Sequence, residues 1–254
     1  MKKGKLVTHI STFNETSATV RGKDLVNELI GEVSFTQMIH LHIMGRMPTA
    51  SEARVLDAVL VTLIDHGMYS SLPARMVYTN SPESIQGAIA TGLLGVGSQF
   101  GGVMEEIGRN LTNIVSAEDQ GATAASIVAG YRAARRAIPG FGHPDFRPED
   151  PRTPKLLAVA EREGVAGKFV AALRVMANAV DTNLGKHVTI NATSALAALL
   201  GDLGVPWRIM RGFAVISRAP GIVGHLYEEI KNPVGMQAGM MMHEMIPYEA
   251  EQQG

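Results

Sequence analysis

The chain contains no cysteine, which removes disulfides and thiolate-ligated metal sites from consideration. Aromatic residues make up only 5%, with a single tryptophan, Trp207. No stretch approaches the roughly 20 uninterrupted apolar residues that a membrane-spanning helix needs. Neither sign of charge dominates: the net charge is −1, which gives no basic footprint for nucleic acid and no polybasic membrane anchor. The opening MKKGKLVTHIST carries lysines without a following apolar run, unlike a secretory signal, so a cytoplasmic compartment is the default expectation. What is present is a 254-residue chain, 46% hydrophobic, long enough to bury a substantial core. Its 27 glycines and 14 methionines predict close helix contacts and adaptable packing.

Most of the chain reads as helix. Thr49-Ala50-Ser51-Glu52 is a capping box opening a helix with the stripe Val55, Leu56, Val59, Leu60 and Leu63. Asp65-His66-Gly67 closes it, with Gly67 suited to a left-handed cap; His66 then has a bland reading as a helix-dipole partner. Shorter helices are expected at 24–30 and 34–43, and small-residue or amphipathic ones at 84–94, 103–111 and 117–137. Thr153-Pro154 can open a helix running to Gly164, followed by 165–180 and 191–203. A last long helix begins near Pro206, with Pro220 expected to kink or interrupt it. Residues 6–12 could alternate as one short strand, but no hairpin dipeptide or regular βα alternation occurs. The fold class expected is all-α. His40 and His42, two apart, would point to different faces of a helix, and His225 with Glu229 reads as an exposed ion pair. No metal is expected.

Residues 140–152, GFGHPDFRPEDPR, are neither helix nor strand. The glycines permit tight backbone geometry, while Pro144, Pro148 and Pro151 stiffen the segment. It presents one titratable imidazole, His143, and two permanent cations, Arg147 and Arg152. That set suits an anionic substrate whose hydroxyl or carbonyl must be polarised or exchange a proton. A solvated, proline-rich surface loop has the same composition.

Five segments in order resemble the citrate synthase superfamily, and within it the short citryl-CoA lyases and the C-terminal lyase module of ATP-citrate lyase. They are SFTQMIHLHIMGRMPTASEARVLDAVLVTLIDHG (34–67), GLLGVGSQFGG (92–102), PGFGHPDFRPEDPR (139–152), INATSALAALLGDLGVP (190–206) and SRAPGIVGHLYEE (217–229). The resemblance implies a large helical domain, approximately residues 1–110 and 185–254, and a small coenzyme A-side domain, approximately 111–184. It implies a coenzyme A thioester as substrate, such as citryl-CoA giving acetyl-CoA and oxaloacetate, and a homodimer or homotetramer.

By position, His66 would hydrogen-bond an oxaloacetate-like acid and His143 would contact the carbinol oxygen. Arg152 and Arg218 would bind carboxylates, and Arg147 would face a phosphate of coenzyme A, with Gly140 and Gly142 beside it. Two positions depart from the family pattern. Phe100 stands at the glycine corner where citrate synthase has an enol-binding histidine, as in the lyase module's own RFGG; a core aromatic would read the same way. Thr193 stands where Asn-Val-Asp-Gly carries the catalytic aspartate, and a threonine hydroxyl is no general base near neutral pH. His187, or Asp181 if the fold returns it, could substitute. The alternatives are altered acyl-transfer chemistry, such as decarboxylation of a malonyl-type thioester, and a non-catalytic homologue that binds coenzyme A or a dicarboxylate.

Overall fold

The computed structural model describes residues 6–65, 67–97 and 103–250. Helices dominate it: α1 (Phe35–Met44), α2 (Ala50–Leu63), α3 (Met68–Asn80), α4 (Ile85–Leu94), α5 (Met104–Val115), α6 (Gln120–Ala133), α7 (Arg152–Arg162), α8 (Lys168–Leu184), α9 (Ala192–Asp202), α10 (Met210–Lys231) and α11 (Gly235–Met245). The all-α expectation holds. The capping box opening α2 forms as read: Thr49 Oγ1 accepts from the Glu52 amide while the Glu52 carboxylate accepts from the Thr49 amide.

The core is built on α5 and α9. Met104, Ile107, Leu111 and Ile114 are fully buried on α5, at the spacing that makes one continuous helical face. Their neighbour α9 is buried from Ser194 through Gly201, which is why its sequence is apolar all round. Around this pair pack α6, α7, α8, α10 and α2. Burying each large side chain contributes about 1.5–3 kcal/mol. A smaller cluster, Ala74, Ala88, Ile222 and Leu226, joins α3, α4 and α10.

Several local expectations are corrected. Instead of one possible strand, the N-terminal segment forms a small antiparallel sheet of β1 (Ser11–Phe13), β2 (Ala18–Val20) and β3 (Lys23–Asp24). Its second turn is Arg21-Gly22, both with positive φ, a geometry usually signalled by Asn-Gly. Arg21 tolerates it because its guanidinium donates twice to the His42 carbonyl. Gly67 does not cap α2; it immediately precedes α3, a helix whose weak apolar pattern and internal Pro73 concealed it. Helix α7 starts at Arg152, and Thr153, rather than capping it, donates its hydroxyl to the Ile190 carbonyl.

Helix α10 runs through Pro220 without interruption. Its buried face, including Phe213, Ala214, Ile222 and Leu226, outweighs the proline's lost hydrogen bond, about 3 kcal/mol. Next to it, Gly221 lets the helix lie against the end of α2, since a Cβ there would overlap the Ile64 carbonyl. This approach sets Arg218 beside Asp65. His225 and Glu229 are not an exposed pair. Glu229 is buried and accepts from Arg75, Thr79 and the Val234 and Gly235 amides, whereas His225 lies between Arg75 and Asp65.

Candidate active site

The 140–152 loop is fastened to the segment that leads into α9. Phe141 and Ile190 form an antiparallel bridge. The Gly142 amide donates to the Thr189 carbonyl (2.7 Å) and the Asn191 amide to the Gly140 carbonyl (3.0 Å). Side chains complete the seam: Thr189 Oγ1 donates to the Pro148 carbonyl, Asn191 Nδ2 to the Gly142 carbonyl and Ser194 Oγ to the Gly140 carbonyl. Gly140 is required here, being at φ +83° with its missing Cβ aimed at Ser194 Oγ and Ile107 Cδ1. It is buried, and its carbonyl serves the seam.

Asp150 is the pivot. Fully buried, it accepts from the Arg152 amide (3.1 Å) and Nε (2.9 Å) through Oδ1, and from the Arg152 guanidinium (2.8 Å) and the Ala192 amide (2.8 Å) through Oδ2. Burial alone would raise its carboxyl, but the Arg152 side chain and the Ala192 and Arg152 amides outweigh that and hold it below the usual carboxylate range. The first amide of α9 is a natural partner for an anion. One carboxylate therefore fixes the guanidinium and ties the loop to the helix bearing Thr193, whose own amide donates to Asn191 Oδ1.

His143 Nδ1 accepts from the Asp145 and Phe146 amides, both at 3.1 Å. A neutral imidazole with that nitrogen accepting carries its proton on Nε2. Nε2 then faces the Arg152 guanidinium at 3.4 Å, donor against donor. An anionic or carbonyl oxygen placed between them satisfies both. Phe146 steadies the arrangement, its ring 4.6 Å from the His143 ring and 5.2 Å from the Arg152 guanidinium carbon.

Beside this pair opens a cavity of about 470 Å³ lined by Gly142, His143, Arg147, Pro148, Lys186, His187, Val188 and Thr189. Arg147 is exposed and, among the described residues, makes no hydrogen bond or ion pair. His187 Nδ1 lies 2.9 Å from Asp181 Oδ2, while Asp181 Oδ1 accepts from the Val188 amide. Asp181 thus meets the segment that lines the cavity opposite the loop, through His187 and Val188.

Arg218 is nearly buried on α10, its guanidinium 3.6 Å from Asp65 Oδ1. Burial lowers its pKa and Asp65 partly opposes that. Among the described residues no hydrogen bond or ion pair joins Arg218 to His143 or Arg152. His66 and Phe100 lie outside the described residues. Sequence reasoning missed Asp150, Phe146 and Asn191 as contributors. The adjacency of Asp150 to Arg152 was a usable signal; the pairing of Asp150 with an amide 42 residues away was not.

The family profile described as citrate synthase, C-terminal domain, matches residues 5–237. The solved citryl-CoA lyase of Hydrogenobacter thermophilus superposes with a TM-score of 0.87 at 31% identity, covering 98% of this chain and 96% of that one. An ATP citrate lyase of Methanosaeta concilii, solved with (3S)-citryl-CoA, gives a TM-score of 0.78 at 17% identity over 100% of this chain and 43% of its own. Among curated sequences, ATP-citrate synthase subunit 1 of Sordaria macrospora is 23% identical over 203 residues, 72% of this chain and 29% of that protein. The chain thus spans under a third of that relative's length. With its loop, its helices and the family profile in agreement, the chain belongs to the citrate synthase family.

Proposed function

We propose that the protein is a carbon–carbon lyase or condensing enzyme acting on a coenzyme A thioester of the citryl-CoA type. The observation that carries this reading is the donor–donor pair of His143 Nε2 and the Arg152 guanidinium, 3.4 Å apart and fixed from behind by the Asp145 and Phe146 amides and by Asp150. Two donors held this way are pre-organised for a keto acid: the guanidinium takes a carboxylate, and Nε2–H polarises the neighbouring carbonyl or stabilises the carbinol oxygen. Held in this tautomer, His143 acts as a donor rather than as a base. Arg218 supplies the second carboxylate clamp, exchanging Asp65 for the substrate. Arg147 and Lys186 at the cavity mouth are cations suited to the phosphates of coenzyme A. On the proposed division near residues 110 and 185, the cavity's lining would draw Gly142, His143, Arg147 and Pro148 from the small domain and Lys186, His187, Val188 and Thr189 from the large one.

Acyl-CoA and citrate ligands in the neighbouring structures support the substrate class, and a homodimer or homotetramer is the assembly proposed. The test is a thioester panel assayed for both acetyl-CoA release and free coenzyme A. Citryl-CoA cleavage lost in His143→Ala supports the reading; binding of the thioester without turnover by the unmodified protein contradicts it. A decarboxylating acyl transfer is the second reading, favoured by Thr193 alone. Absence of CO₂ from malonyl-CoA plus a keto acid removes it.

A further inference from the structure

Cleavage of a citryl-type thioester releases an acetyl enolate whose carbon must receive a proton, and condensation needs the same proton removed. Thr193 can do neither. His143 has Nδ1 occupied by two amides and Nε2–H committed to the carbinol oxygen. Arg147, Arg152 and Lys186 are cations without a usable lone pair at neutral pH. Asp150 is fully buried, with both oxygens taken. Asp145 is 82% exposed on the Nδ1 side of His143.

His187 is different. Its Nδ1 faces a carboxylate oxygen of Asp181 at 2.9 Å, and the other oxygen of that carboxylate is fixed by the Val188 amide. Nδ1 is thereby the donor, and Nε2 of the neutral ring keeps its lone pair. This orientation of an imidazole by a carboxylate is the arrangement that acid–base chemistry uses. His187 also lines the His143 cavity.

We infer that His187, positioned by Asp181, is the acid–base residue that serves in place of the absent aspartate; the inference rests on the lyase reading above. In condensation, Nε2 takes one proton from the acetyl methyl carbon, leaving the C–H electron pair as the enolate and the ring as imidazolium. In cleavage, the carbinol O–H proton passes to water as its oxygen becomes the keto oxygen, the C–C electron pair becomes the enolate, and the imidazolium places its proton on the enolate carbon. In condensation the nascent alkoxide takes a proton from water. Asp181 holds the ring orientation and offsets the transient positive charge. No oxidant is needed, and water carries the carbinol proton.

The test compares the unmodified protein, His187→Gln and Asp181→Asn on citryl-CoA and on a truncated citryl thioester lacking the nucleotide. The His187 side chain is 55% exposed, so its replacement leaves no buried group unpaired, and circular dichroism checks the fold. His187→Gln is expected to lower kcat about 10²–10⁴-fold on both thioesters with little change in KM. Asp181→Asn should give a smaller loss, and adding Thr193→Asp to His187→Gln should restore part of the rate. A raised KM confined to the full coenzyme A thioester, with kcat unchanged, would make His187 a phosphate contact and overturn the inference while the lyase reading stood. No cleavage by the unmodified protein removes the lyase reading and this inference together.

Discussion

Two buried arginine–carboxylate clusters sit in different parts of the molecule and end differently. In the first, Arg75 joins α3 to α10: its terminal nitrogens reach Glu229, Glu228 and His225 Nδ1, and Glu229 is in turn filled by Thr79 and the two amides that open α11. In the second, Asp150 is equally filled, yet Arg152 remains 31% exposed at its side chain and turns toward the Nε2 of His143. The first cluster turns the terminal nitrogens of Arg75 onto its own partners and leaves only Nε, buried, without one; the second leaves donors aimed at a cavity. Arginine next to carboxylate is common to both, so ion pairing alone does not separate architecture from chemistry. Unspent hydrogen-bonding capacity does.

The comparison is broken most strongly at His143. His143→Ala is expected to reduce citryl-CoA cleavage about 10²–10⁴-fold, read by steady-state kinetics, with helical circular dichroism intact. Glu229→Ala should do the reverse: a loss of about 3–5 kcal/mol in denaturant unfolding, because Arg75 loses its one buried carboxylate partner and keeps only His225 and the exposed Glu228, with kcat per folded molecule retained. Asp150→Asn falls between the two. Losing a charged partner should cost about 1–3 kcal/mol and weaken keto-acid binding measured by calorimetry, because Arg152 is no longer fixed.

The smallest effect is the dependence on acid. Burial raises the Asp150 and Glu229 carboxyls but their donors outweigh it, and both end below the ordinary values of 3.8 and 4.5. A carboxylate with a lowered folded pKa contributes its full stability above the unfolded value and loses it as pH falls through the folded one. Unfolding free energy should therefore be level above about pH 5 and decline below about pH 4. In Glu229→Gln that decline should be shallower, as followed by thermal unfolding across pH.

The sequence made the helices legible where local chemistry is enough: the Thr49–Glu52 box, the α2 stripe and the wholly apolar α9. It failed where the decisive contact is distant. Pro220 looked like a break because its compensation is the packing of α10 against α2, over 150 residues earlier. His225 and Glu229 looked like a surface pair because Arg75 could not be foreseen as their partner. At the site, His143 and Arg152 stood out by residue type and by resemblance. The clamp from Asp150 to α9 depends on chain topology, since it joins groups 42 residues apart. Even the two-residue hairpin at Arg21-Gly22 was hidden, since its strained residue is supported by carbonyls on α1.

The central claim is that His143, Arg152 and Arg218 serve one keto acid, and a crystal structure of the protein with oxaloacetate tests it most directly. The account expects one carboxylate on the Arg152 guanidinium, the keto oxygen within hydrogen-bond distance of His143 Nε2, and the second carboxylate on Arg218 in place of Asp65. Oxaloacetate bound away from His143, or held by Arg152 with Arg218 still paired to Asp65, would contradict it.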